Sequence, residues 1–387
     1  MHYLDPLYGQ LKITQKELGL FQTPALTRLR DVSLSAVPPF LWPSGMIASR
    51  FEHSVGVAFL AKKLCQQKTL RPHAKNLYLA ALLHDIGSPP FSHITEPFQE
   101  ALTGLNHEAF VQKMLKEKTL VQKIKSFGGQ PTTVARLIQG DLPPLSDLIN
   151  GSIDLDNLDN TLRWGIGAGV FNTKFYDPEE VVNAFVFDGR TLALRLEYQA
   201  HIQKWELARR LAYELVYSDL NLAPASMISR ALYFAWQNNE LTSDFFYLTD
   251  SQAFYLLENR FNPASRALAQ DARYWRFYLP AAEITTEKPN RHLKKVCLDW
   301  QLRFQLADTL AEKLNLPPQD ITIAGGKDKG FKKIHLPFVG QGQKQSHMPL
   351  MPLRWRLKIF IQPRHRSHIP RLQTLLHRLL KTPAFLT

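Results

Sequence analysis

Apolar positions recur at helical spacing through most of the 387 residues, and the alternation typical of strands is confined to short stretches. The spacing predicts helices over 22–34, with Pro24 in the first turn, and over 50–64, 74–85, 107–115, 120–127, 132–138, 145–150 and 155–164. Helices resume from 200 to about 237. Before them, Asp5-Pro6-Leu7-Tyr8-Gly9 reads as a turn, 11–13 as a short strand or extended arm, and 35–49, with Pro38, Pro39 and Pro43, as loop. Between 184 and 196, Phe187-Asp188-Gly189-Arg190 lies between apolar alternations and predicts a β-hairpin.

Beyond 237 the pattern loosens. Helices are expected over 249–261, within 293–315 and over 369–380, and strands over 321–323 and 353–361. The glycine-rich stretch Gly325-Gly326-Lys327-Asp328-Lys329-Gly330 and residues 340–343 read as mobile loop. Its lysines do not make a phosphate-binding P-loop, because the spacing and the following Ser or Thr are missing. The expected architecture is mainly α: a helical core over 1–237 with a short β-hairpin, then a smaller α+β lobe over 238–387 that ends in a basic tail.

One dipeptide in this pattern demands an explanation. His84-Asp85 closes the apolar run Leu77-Tyr78-Leu79-Ala80-Ala81-Leu82-Leu83 and precedes Ile86, Gly87, Pro89 and Pro90, which places it in the last turn of a buried helix. Burying an imidazole and a carboxylate costs several kcal/mol, on the order of a buried ion, unless something compensates, and a cation bound by nitrogen and oxygen suits both. Upstream, His53 falls in the first turn of the 50–64 helix; downstream, Asp154, Asp156 and Asp159 crowd among apolar neighbours. His53, the His84-Asp85 pair and a distant Asp form a mixed set of donors on three helices.

At this point the chain resembles the HD-domain metal phosphohydrolases, whose signature is H…HD…D. Arg28-Leu29-Arg30, Arg50-Phe51-Glu52-His53-Ser54-Val55-Gly56, Leu83-His84-Asp85-Ile86-Gly87, Pro90-Phe91-Ser92-His93 and His107-Glu108 look like the branch that contains the deoxynucleoside triphosphate triphosphohydrolases. The resemblance implies an HD-domain helical core and four metal ligands, His53, His84, Asp85 and Asp156, holding a divalent ion: manganese, iron, nickel, zinc or magnesium. Asp154 is then a helix cap and Asp159 an orienter of a ligand. It further implies His107 as general acid with Glu108 raising its pKa, His93 as a phosphate contact or orienter, and Arg50 on a phosphate oxygen. The reaction is hydrolysis of a nucleotide by metal-activated water, at the α-phosphorus in the resembling enzymes.

Several substrate-reading positions depart from that family. Ser88 stands where the family has a second His, Asn157 and Asn160 where it has a basic residue and a Tyr, and Trp164, after Arg163, where it has Asp. Leu34 replaces a sugar-contacting Gln, and of the activator-site residues only Arg30 remains, with Gln22 and Thr27 at the other places. Ser88, Asn157, Asn160, Arg163 and Arg50 are the expected substrate contacts. Two rivals stay open: a metal-dependent phosphodiesterase or nuclease on oligonucleotides, and a non-catalytic nucleotide- or nucleic-acid-binding module.

Charge adds a partner. From Lys329 onward the chain carries twelve Lys or Arg and no acid, out of a net +13, which favours nucleic acid on the tail or an acidic neighbouring subunit in a homo-oligomer. Two cysteines, Cys65 and Cys297, form no disulfide framework. No apolar run approaches the roughly eighteen residues of a membrane span, so a cytoplasmic protein without a membrane partner is expected.

Overall fold

The computed structural model describes residues 1–41, 48–330, 332–340 and 353–381. It is mainly helical, as the apolar spacing predicts. The helix at its centre is Arg50–Leu64, and its start is written in the sequence: the Ser49 hydroxyl accepts from Glu52 N while the Glu52 carboxylate accepts from Ser49 N. Residues on every side of this helix are buried, so other helices surround it. Ala74–Leu83 packs along one side, buried from Leu77 to Leu83, and Leu155–Gly167 along another. Gly56 permits the second approach, because a Cβ there would stand 2.0 Å from Asp159 Oδ2 and 2.4 Å from Arg163 Nη2.

A two-stranded hairpin, His2–Asp5 with Gly9–Lys12, closes the N-terminal side of this core; the expected turn joins its strands, and the second overlaps the short strand expected over 11–13. The helix expected over 22–34 is shorter, and another that was not expected precedes it. Gln15–Phe21 ends before Thr23, which Pro24 holds extended (φ −71°, ψ 145°), and Pro24–Arg28 then runs into a 3-10 turn at Leu29–Asp31. The predicted hairpin forms from Phe185–Phe187 and Leu192–Arg195. The long helices Gln199–Val216 and Asp219–Gln237 follow, and the same core continues through Asp250–Asn259 and Pro263–Arg273 to Tyr278.

A second core runs from Ala281 to Leu380. Its sheet has the antiparallel order Leu279–Thr286, Trp355–Ile361, Ile321–Lys327, covered by Arg291–Leu298, Trp300–Leu314 and Ile369–Leu379. The first of these strands and the helix Pro263–Arg273 carry no clear signal in the sequence pattern. Gly325 to Lys327, expected as loop, extends the Ile321 strand: Gly325 pairs with Leu357, whose Cδ1 would lie 2.9 Å from any Cβ at that position. Residues 341–343 of the same expected loop lie outside the described residues. Among the described residues no helix is long and apolar enough to cross a membrane.

Candidate metal centre

Three helices deliver the site. His53 comes from the first turn of Arg50–Leu64, His84 is the C-cap of Ala74–Leu83, and Asp156 is the second residue of Leu155–Gly167, whose N-cap is Asp154. Asp154 Oδ1 accepts from Asn157 N at 2.7 Å, which is the capping role expected of it. Asp156 thus projects from a fixed first turn. His53, His84 and Asp156 form a cluster able to hold a divalent metal ion.

The donor atoms converge. His53 Nε2 lies 3.0 Å from Asp156 Oδ1 and 3.9 Å from Asp85 Oδ2; His84 Nε2 lies 3.6 Å from Asp85 Oδ2 and 3.9 Å from Asp156 Oδ1. Donors each about 2 Å from one cation are themselves about 3–3.5 Å apart, so this spacing fits a cation between them. Two of the atoms, His84 Nε2 and Asp85 Oδ2, are buried without a hydrogen-bond partner, a costly state that a bound ion relieves. A nitrogen and oxygen set of this kind suits a first-row divalent ion.

Each donor is aimed by a neighbour. The His53 Nδ1 is 2.7 Å from Asp159 Oδ1, and the His84 Nδ1 is 2.8 Å from Ala81 O, so each ring turns its Nε2 to the centre. Arg163 donates Nε to Asp159 Oδ1 at 2.7 Å and Nη2 to Asp5 Oδ2 at 3.0 Å, extending the chain of contacts to the N-terminal hairpin. Arg50 donates Nη1 to Asp85 Oδ1 at 2.6 Å and Nε to Ser92 Oγ at 2.8 Å, and the Ser88 hydroxyl reaches Asp85 Oδ1 at 3.2 Å. Asp85 therefore spends one oxygen on protein and leaves Oδ2 without a hydrogen-bond partner.

Electrostatics follow this wiring. Burial opposes charge on His53, but hydrogen bonds that it donates to the Asp156 and Asp159 carboxylates outweigh it and push the imidazole up to about 9. Burial also opposes ionisation of Asp85 and Asp156. Arg50 with His84 and His53 holds Asp85 well below the usual carboxylate range, and the His53 hydrogen bond does the same for Asp156. A ligating imidazole must be neutral, so metal binding at this centre should be weaker at low pH.

The remaining expected site residues fall into three places. Arg50, Ser88 and Arg163 are buried around the centre, where Arg50 and Ser88 contact Asp85 and Arg163 contacts Asp159. The Asn157 carboxamide is engaged by Asp154 and by Arg209 Nη1, while Asn160 is half-buried one turn beyond Asp156. His93 stands 60 % exposed with its Nδ1 2.9 Å from Glu96 Oε1. His107 opens the helix His107–Met114, and its side chain and that of Glu108 lie outside the described residues. Arg28, expected on the surface, is half-buried and donates to Ile86 O, Ser88 O and Leu248 O, bracing the loop after His84-Asp85. Asp5, Arg209 and Lys332 were not foreseen, since nothing local in the sequence joins them to the motif residues.

Comparison with known proteins agrees with this geometry. The HD domain family matches residues 50–164, which span all four donors. An uncharacterized protein of Methanocaldococcus jannaschii is 28 % identical over 233 residues, 59 % of this chain and 48 % of its own length. The deoxynucleoside triphosphate triphosphohydrolase SAMHD1 homolog of Dictyostelium discoideum is 29 % identical over 179 residues, 41 % of this chain and 35 % of its own. The chain spans about half or less of the length of these curated relatives. Among solved structures, a hypothetical protein from Aquifex aeolicus shares the fold at a TM-score of 0.73 with 20 % identity, over 97 % of this chain and 99 % of that one. A phosphohydrolase from Bacteroides thetaiotaomicron does so at 0.66 with 19 % identity, over 94 % and 99 %.

Proposed function

We propose that this chain, whose residues 50–164 form an HD domain, is a metal-dependent phosphohydrolase whose substrate is a nucleotide, most consistently a nucleoside or deoxynucleoside triphosphate. The observation that carries the reading is the convergence of His53 Nε2, His84 Nε2, Asp156 Oδ1 and the unpartnered Asp85 Oδ2 on one point. These four are the proposed ligands. A divalent cation bound there would lower the pKa of a water and offset negative charge at phosphorus.

The chain's own groups do the rest. Asp159 and Ala81 O fix both ring orientations, and Arg50 with Ser88 fixes Asp85. On this reading His107, with Glu108 beside it, donates the proton to the leaving oxygen, and His93 with Glu96 lies on the approach of the phosphates. Part of the tail's charge is neutralised within the chain. Arg356 pairs with Asp328, Lys358 with Asp219 and Glu283, and Arg364 with Asp320. Self-association through the C-terminal lobe remains part of the proposal.

The test is turnover of the full chain loaded in turn with manganese, iron, nickel, zinc and magnesium, on nucleoside mono-, di- and triphosphates and on phosphodiesters. Metal-dependent hydrolysis, lost on chelation, is the expected result, and release of inorganic triphosphate would locate attack at the α-phosphorus. Absence of turnover on every phosphoester with every metal sinks the reading.

A further inference from the structure

Asn157 follows the ligand Asp156 where the resembling enzymes carry a cation, and the fold brings two cations to that corner from other elements. Arg209, on Gln199–Val216, donates Nη1 to Asn157 Oδ1 and Nη2 to Lys329 O at 2.9 Å, with its guanidinium 4.7 Å from the Tyr213 ring centre. Lys332 Nζ lies 3.0 Å from Asp154 Oδ2. The two differ in what they have left. Arg209 is buried, whereas the Lys332 side chain is 29 % exposed and its ammonium has three donors.

The segment that carries Lys332 is fastened on both sides. Lys329 N donates to Tyr217 Oη at 2.7 Å, His335 N to Ser152 Oγ at 3.0 Å, and Leu194 N to Pro337 O at 2.9 Å. Phe338–Val339 then pairs in parallel with Leu194 and Arg195 of the hairpin. Gly330 lets the strap lie flat, since a Cβ there would stand 2.8 Å from Tyr213 Cβ. The ammonium is thus held at the start of the helix that bears Asp156, by a segment belonging to the other lobe.

We propose that Lys332 is a substrate-positioning residue whose ammonium binds a phosphate oxygen of the nucleotide at the metal centre, in the role that a residue at 157 cannot fill. The inference rests on the phosphohydrolase reading and makes the active site a product of both lobes. Asp154 is its anchor in the free protein; the phosphate is its partner in the complex.

Lys332→Gln keeps a donor for Asp154 and removes the charge, and Lys332→Arg keeps both. With manganese-loaded full-length protein, Lys332→Gln should bind inorganic triphosphate roughly tenfold to a hundredfold more weakly by calorimetry, as expected for one lost charge-assisted contact, while Lys332→Arg recovers most of the affinity. KM for a hydrolysed nucleotide should rise with kcat changed less than about threefold. Metal content should equal that of the wild type. Unchanged triphosphate affinity in Lys332→Gln, with a lowered melting temperature, would mean that Lys332 only neutralises Asp154, and the inference is overturned. A wild type that neither binds triphosphate nor hydrolyses any phosphoester overturns the phosphohydrolase reading, and this inference with it.

Discussion

The two halves of the molecule treat charge in opposite ways. Around the metal centre, Asp5, Arg163, Asp159 and His53 form a line of ionic contacts in which each member is 3 % exposed or less. In the C-terminal lobe, Lys358 meets Asp219 and Glu283, which are 48 % and 47 % exposed. In the first region every charge depends on its neighbour, because water cannot replace it. Around Lys358, both acids can return to solvent. Identical chemistry therefore specifies geometry in one place and adds little in the other.

Replacing a donor should have the largest effect. His53→Ala, His84→Ala, Asp85→Ala and Asp156→Ala are each expected to abolish stoichiometric metal binding, read by elemental analysis of the purified variants; full occupancy in Asp156→Ala would remove it from the ligand set. Next comes the direct contrast. Arg163→Met removes the guanidinium that buried Asp5 and Asp159 share and should cost about 3–5 kcal/mol of unfolding free energy. A denaturant titration matching the wild type would end the comparison. Gly56→Ala pushes a methyl into Asp159 and Arg163 and should cost about 1–3 kcal/mol, with metal affinity falling alongside stability.

Asp250 offers a pH test between these extremes. Its carboxylate accepts from Ser33 N and Phe91 N, both at 2.9 Å, yet burial raises it to about 6, above the ordinary 3.8. A carboxyl raised in the folded state favours folding at low pH and loses that contribution as pH rises through about 6. The wild type should therefore lose stability relative to Asp250→Asn between pH 4 and pH 7, measured as paired melting curves across ~3 pH units; parallel curves would show that the carboxyl titrates normally. The smallest effect belongs to Lys358→Met, about 1 kcal/mol or less, because both partner acids regain water.

The helix Arg50–Leu64 was legible to the residue because Ser49 and Glu52 announce its start and its apolar positions persist to Leu64. Asp154 as cap and Asp159 as orienter were legible for the same reason: both act within a turn or two of the motif. The contacts of Arg50 with Asp85 and of Arg163 with Asp5 were not, since Asp5 is 158 residues from Arg163. Partners from distant segments also escape the sequence in the tail. Its charge is unopposed along the sequence, but Asp219, Glu283, Asp320 and Asp328 are brought to it from earlier segments. Strand Leu279–Thr286 escaped because its buried and open positions alternate irregularly around a register shift between Pro280 and Ala282.

The order of the C-terminal sheet bears on synthesis. Trp355–Ile361 lies in the middle, yet it leaves the ribosome after both strands that flank it. Leu279–Thr286 and Ile321–Lys327 are not paired with each other, so their facing edges stay without a strand partner until that segment arrives. The helical half can close around His53 and Asp156 during translation, whereas the second lobe closes in one late step. A ribosome stalled anywhere between Lys327 and Trp355 would hold a finished metal centre tethered to two sticky strand edges, the window in which a holdase chaperone has most to protect.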